Sequence, residues 1–297
     1  MSGSLELLKV SRAELGEGPS WDSRSNMLYW VDILKGNVHM YEPDYCEDTF
    51  IHTGGYVSSV VPRKAGGMMV TLQHGFYTLN LETHNVKLIC EVEKNVADNR
   101  FNDGKCDAYG RYWAGTMSMG YAKSKGALYF LSRDNTVTKV LSNISISNGL
   151  GWSPDNKVMY YIDTPMRRVV SYDFVLETGE IKNQRTVVDF SDQDGSPDGM
   201  AVDEEGMLWI AHWGGSKVSR WNPLTGSVLD QIILPTMNVS SCCFGGKNLD
   251  ELYITTAKRG SEQQIPSEQP YAGALFRVKV EVRGLPTYSF IGQLSYP

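Results

Sequence analysis

Apolar and polar residues alternate in short runs along the whole chain, and nowhere does a helical period persist over a dozen residues. Turn residues cut these runs at similar places. Gly18–Asp22 lead to Met27–Trp30, Asp107–Gly110 to Arg111–Trp113, and Ser153–Asn156 to Met159–Tyr161. Asp203–Gly206 lead to Met207–Trp209, and Asn248–Asp250 to Leu252–Tyr253. Asp, Asn and Gly tolerate the backbone of tight turns, and the flanking aromatic and β-branched residues suit strands, so each unit reads as a hairpin. A further strand follows each: Asn37–Tyr41, Ala127–Leu131, Val169–Tyr172, Lys217–Trp221 and Ala274–Val278, read as outer strands. Four strands in about 40 to 50 residues is the spacing of propeller blades, and a chain of this length then holds about six. The expectation is an all-β fold, a six-bladed β-propeller with four antiparallel strands per blade, as a single domain over 1–297. Closing the ring leaves only short edges. The turn-rich stretches Met117–Gly126 and Lys258–Gly273 are expected to be rim loops.

The turn Asp serves as a ruler. Glu17 precedes Asp22 by the offset that separates Asn102 from Asp107 and Asp198 from Asp203. The same offset selects Asn148 before Ser153, and it reaches Ser58 and Ser240 in the remaining units. Equivalent positions meet around a propeller axis, so these six should ring one mouth of the central channel. Two carboxylates and two carboxamides there form an oxygen-rich set suited to a hard divalent cation.

Composition narrows the field. The 297 residues carry 28 Lys+Arg against 34 Asp+Glu, a net charge of -6, which argues against nucleic acid or an anionic membrane as partner. No apolar run is long enough for a membrane span, and Met1–Glu6 lack a signal-peptide pattern. The five cysteines (Cys46, Cys90, Cys106, Cys242, Cys243) show no zinc spacing and read as reduced thiols of a cytoplasmic protein, expected to be a monomer. The sequons at Asn143 and Asn238 then carry no meaning.

Other chemistries fail on spacing. The five histidines have no His-x-x-x-His pair; His212 stands out only by following the Trp209 strand near Asp198. There is no Gly-x-Ser-x-Gly elbow. Gly16-Glu17-Gly18-Pro19 lacks the third glycine of a dinucleotide loop. An EF-hand read through Asp192 and Asp194 would put Phe190 and Ala201 at its end positions. Trp30, Trp113 and Trp209 recur with the repeat and read as core.

Certain segments, in this order, carry a resemblance: Gly16–Pro19, Asn99–Lys105, Ala114–Met117, Ser147–Leu150, Pro197–Met200 and Cys243–Gly246. On them the chain resembles the regucalcin/gluconolactonase family over nearly its whole length. The resemblance implies a six-bladed propeller with one divalent cation in the channel, held by Glu17, Asn148 and Asp198. It also implies substrate contacts by Arg100 and Asn102. Animal regucalcins carry an acidic residue shortly after the Gly-Thr-Met segment; Met117–Tyr121 have none. Ile210–Gly215 and Gly273–Val278 look more like bacterial aldonolactonases.

The expected activity is metal-dependent hydrolysis of a small-molecule sugar lactone to its aldonic acid. The substrate would be an aldono-1,4- or 1,5-lactone such as glucono-, xylono- or arabinono-lactone. The cation is Ca2+ by first choice, with Zn2+, Mg2+, Mn2+ and Fe2+ also able to enter. Asp198 is the expected catalytic base. The rivals are an organophosphate or ester hydrolase on the same site, a calcium-binding regulatory protein, and a propeller serving only as an interaction platform.

Overall fold

The computed structural model describes residues 3–259 and 269–292. Its strands form six four-stranded antiparallel sheets, the blades of a β-propeller. The innermost strands are Gly16–Asp22, Val57–Pro62, Asn99–Cys106, Ser147–Trp152, Ser196–Val202 and Val239–Gly245. They are almost entirely buried, as strands around a closed axis must be. The fourth strand of each blade is exposed on half or more of its residues, as in Glu47–His52 and Glu180–Asp189. The only helix among the described residues is the single turn Thr164–Met166.

The strands expected to be outermost are third from the axis. Asn37–Glu42, for example, lies between Met27–Asp32 and Glu47–His52. Blade six takes its outermost strand, Glu6–Leu7, from the start of the chain, paired with Leu275–Lys279. Closing the ring with both ends of the chain joins the first and last segments noncovalently. Glu6 and Leu7 alone are too short to announce this as a sequence pattern.

Apolar side chains pack between neighbouring blades. Trp30, Trp113 and Trp209 are buried, as expected. The turn Asp has a physical role in two blades. Asp107 accepts hydrogen bonds from Trp113 Nε1 (2.7 Å) and from the Arg111 backbone and guanidinium. Asp203 accepts from Trp209 Nε1 (2.9 Å), Arg220 Nε and the turn amides of Glu205 and Met207. One residue thus fixes the turn and anchors the core tryptophan, which is why the ruler keeps its phase.

The far end of the channel is covered by the segment after the last strand. Leu285 N–H bonds Val202 O, Phe290 N–H bonds Pro62 O, and Ile291 N–H bonds Gly110 O. Beneath this segment lies a cavity of about 80 Å³ lined largely by apolar groups, with Lys105, Cys106 and Cys243 among its walls. All five cysteines are unpaired thiols. No helix among the described residues is long and apolar enough to cross a membrane.

Candidate functional site

The six positions selected by the ruler fall at one structural feature. Each innermost strand shifts register against its neighbour there: between Glu17 and Ser20, Val57 and Ser59, Phe101 and Gly104, Ser147 and Leu150, Pro197 and Met200, and Val239 and Ser241. Such bulges leave residues out of the ladder and re-aim their side chains. Ser58, Asn102, Asn148, Asp198 and Ser240 sit inside these breaks, and Glu17 sits at the edge of its own. Glycines let the backbones crowd: a Cβ on Gly149 would lie 2.6 Å from Asp198 O. At the entry to the strands, Asp32 accepts from the amides of Glu14 and Leu15, and Asp163 from those of Ser145 and Ile146, tying down the segments that lead in.

Four of these side chains donate toward the backbone carbonyl just before the next blade's break. Ser240 Oγ donates to Gly16 O (2.5 Å), ahead of Glu17. Ser58 Oγ donates to Phe101 O (2.5 Å), ahead of Asn102. Asn102 Nδ2 donates to Ser147 O (2.8 Å), ahead of Asn148. Asn148 Nδ2 donates to Thr164 Oγ1 (2.7 Å), which donates to Pro197 O (2.8 Å), ahead of Asp198. The relay breaks at Glu17 and Asp198, because an ionised carboxylate has no hydrogen to give.

That break shapes the site. A cavity of about 400 Å³ opens at this end of the channel, lined by Glu17, Arg100, Asn102, Asn148 and Asp198 together with Met117, Tyr121, Thr164, Trp213 and Arg259. All five predicted site residues therefore share one cavity. Ser58 and Ser240, selected by the same offset, are fully buried, spend their hydroxyls on backbone, and do not line it. Donor geometry also fixes the amides. Asn102 Nδ2 donates to Asn148 Oδ1 (2.7 Å), and Arg100 Nη1 donates to Asn102 Oδ1 (2.7 Å) and Phe101 O (2.8 Å). Both amide hydrogens of Asn102 are thus spent, and Asn102 can meet a ligand only as an acceptor through Oδ1.

Burial pushes the Glu17 carboxyl well above its ordinary pKa, and the nearby Asp103 adds to this. Asp198 is likewise raised by burial and then by Glu17. Asp103 is raised by burial to about 6, while Lys105 and Arg100 pull it down. Lys105 is lowered by burial and donates to Met200 O (2.7 Å). Like-charged carboxylates crowd here without a matching ion pair to either Glu17 or Asp198 among the described residues.

The donor set fits a hard cation. Asp198 Oδ1 is buried with no hydrogen-bond partner. Glu17 accepts only a long bond (3.3 Å) from Gly18 N–H. Asn148 Oδ1 accepts one hydrogen and keeps a lone pair. Two carboxylates and a carboxamide oxygen are the ligands Ca2+ and Mg2+ prefer. No group of three or more His, Cys, Asp or Glu side chains able to hold a metal occurs among the described residues, because the third oxygen here belongs to Asn148.

His212 does not join the site. Its Nδ1–H faces Asp194 O (2.9 Å), and its Nε2 accepts from Ser219 Oγ (2.6 Å), which in turn accepts from Trp221 Nε1. Sequence reasoning missed Asp103, Thr164, Tyr121, Trp213 and Arg259. Asp103 shares the break with Asn102, a signal the offset could have used. Thr164 acts across a blade boundary that no linear spacing reveals. Met117–Gly126 do supply a rim, through Met117 and Tyr121; of Lys258–Gly273, Arg259 lines the cavity, and residues 260–268 lie outside the described residues.

Comparison with known proteins places this geometry among relatives. A family model described as SMP-30/Gluconolactonase/LRE-like region matches residues 15–258. A Bacillus subtilis protein assigned as a sugar lactone lactonase, YvrE, is 38% identical over 96% of this chain and 97% of its own. Regucalcin of Gallus gallus is 39% identical over 98% of this chain and 99% of its own. Among solved structures, a calcium-binding regucalcin from Agrobacterium tumefaciens superposes with a TM-score of 0.93 at 25% identity, covering 98% of both chains.

Proposed function

Because the chain belongs to the SMP-30/gluconolactonase/LRE-like family, we propose that it hydrolyses a sugar lactone in the channel-mouth cavity with one divalent cation. Family membership supports sugar-lactone hydrolysis at the level of the family. The observation that carries the finer reading is Asp198 Oδ1, a buried carboxylate oxygen without a partner, beside Glu17 and the free lone pair of Asn148 Oδ1.

Glu17, Asn148 and Asp198 would hold the cation, Ca2+ by first choice, with Zn2+, Mg2+, Mn2+ or Fe2+ able to enter. When bound, it supplies Lewis acidity toward the lactone carbonyl and makes water a stronger acid. Asp198 accepts a proton from the attacking water as its oxygen bonds to the carbonyl carbon. The ring C–O bond then breaks, and the ring oxygen leaves as a hydroxyl carrying that proton. Arg100 offers Nη2 and Nε to sugar oxygens, since its Nη1 is spent on protein. Asn102 Oδ1 accepts from a sugar hydroxyl. Leu15, Met117, Ile146 and Trp213 supply apolar wall that limits bulk water.

The test is a pH-indicator assay on fresh aldonolactones, corrected for spontaneous opening. Chelator-treated protein receives Ca2+, Mg2+, Mn2+ or Zn2+ separately. Turnover restored by a cation is expected. Cation binding without turnover of any lactone would replace this reading with a calcium-binding role.

A further inference from the structure

The cavity continues into an annex that sets a second guanidinium, Arg259, near the one already assigned to sugar oxygens. This space of about 80 Å³ is lined by Arg100, Arg259, Tyr56 and Tyr121, with Leu15 and Met117 among the residues shared with the main cavity. No carboxylate is among its walls. Neither guanidinium forms an ion pair among the described residues. Arg100 is nine-tenths buried, and its hydrogen bonds to protein all leave from Nη1. Arg259 is exposed at the rim; its backbone is tied to Glu14 O and its carbonyl to Asn238 Nδ2, so its Cα is fixed while its guanidinium has no acceptor among the described residues. Two unpaired cations facing one small space repel each other, and Arg259 accordingly adds to the lowering of Arg100 that burial begins.

A protein that only bound neutral hydroxyls would gain little from a second arginine there. Guanidinium forks match carboxylate and phosphate oxygens, and the bonds are charge-assisted. The charge balance points the same way: a divalent cation on Glu17 and Asp198 would neutralise the two carboxylates, leaving both arginines uncompensated.

We propose that the lactone this protein prefers carries an anionic substituent, a carboxylate or phosphate on the carbon chain away from the reacting carbonyl, bound in the annex by Arg259, Arg100 and the Tyr121 hydroxyl. The assignment rests on the lactonase reading and adds the substrate class. Arg259 is the specificity-determining residue: its loss removes an anion contact without touching the oxygen trio.

The test compares three six-carbon lactones, one ending in a neutral hydroxymethyl, one in a carboxylate and one in a phosphate ester, on the cation-loaded wild type, Arg259→Gln and Arg259→Lys. A charge-assisted contact corresponds to roughly a 10- to 100-fold preference in kcat/KM, carried mostly by KM. That preference should collapse in Arg259→Gln, survive in part in Arg259→Lys, and weaken with added salt. Carboxylate over phosphate, or the reverse, identifies the anion. Equal use of neutral and anionic lactones by the wild type would overturn the proposal, as would an anion preference unchanged in Arg259→Gln. Calorimetric binding of the ring-opened products, neutral-tailed against anionic-tailed, separates the two readings. If no lactone is turned over but the anionic-tailed acid binds more tightly and Arg259→Gln abolishes the difference, the annex stands and the lactonase reading falls.

Discussion

The strand breaks of blades two and six and those of blades one and five share a backbone and differ in a single kind of group. Ser58 and Ser240 donate to the next blade's carbonyl and vanish into the ring. Glu17 and Asp198, when ionised, cannot donate, and they line the cavity instead. The lesson is that the propeller builds six equivalent sockets and the site exists where the donor relay is interrupted. A buried carboxylate oxygen left unpaired is costly. Asp198 keeps one where Glu17 and Asn148 share the same cavity, which supports the cation position proposed there.

Restoring a donor should separate those roles most sharply. In Asp198→Asn the amide could complete the relay and remove the repulsion from Glu17. Turnover should fall by about 10³, within the range for losing a general base, while the chelated protein melts at or above the wild-type temperature. Near wild-type turnover with cation bound would remove the base role from Asp198. Glu17→Gln tests the cation separately. The wild type should gain about 2.7 kcal/mol at a cation concentration one hundred times its Kd, and the variant should show almost none of this. A full cation response in Glu17→Gln would point to other ligands.

Much of this contrast was legible in the sequence. The turn Asp kept its phase because Asp107 and Asp203 anchor Trp113 and Trp209, so an offset counted from it landed on all six breaks. The four polar members, with Arg100 from the resemblance, converge on one cavity. Spacing could not show that Ser58 and Ser240 would turn away, since that depends on carbonyls some 43 and 224 residues distant. Nor could it find Thr164, which completes the relay from one blade to the next, or the two-residue strand that closes blade six. The rim is the least legible part, because Tyr121 and Arg259 enter the cavity from loops with no repeat phase.

The channel mouth and the His212 pocket should answer pH in opposite directions. Glu17, Asp103 and Asp198 are raised in the folded protein, mainly by burial. Their contribution is fully present below the unfolded carboxyl values and is lost as pH rises, through about 6 for Asp103. His212 is lowered by burial from 6.5 to about 4. Its contribution is fully present above 6.5 and is lost as pH falls through about 4, on the order of 3 kcal/mol in all. Urea unfolding of chelated protein should therefore weaken as pH rises above about 4, because three carboxyls outweigh one imidazole in the window they share. Saturating cation should suppress that loss and uncover an acid limb, a fall as pH drops from 6.5 toward about 4, which His212→Gln should flatten. An acid limb as steep in His212→Gln as in the wild type would assign it to other groups.

The smallest effect tests the sockets without a ligand role. Ser58 Oγ and Arg100 Nη1 both donate to Phe101 O, at 2.5 and 2.8 Å. Ser58→Ala removes one donor and leaves the carbonyl partly satisfied, so the cost should be about 1 kcal/mol. The cation response of the melting temperature should be unchanged, since Ser58 does not line the cavity. Because the same carbonyl helps orient Arg100, KM should rise a few-fold while kcat holds. If Ser58→Ala instead lost its cation response, the serine sockets would belong to the site, and the division between donor and carboxylate positions would not hold.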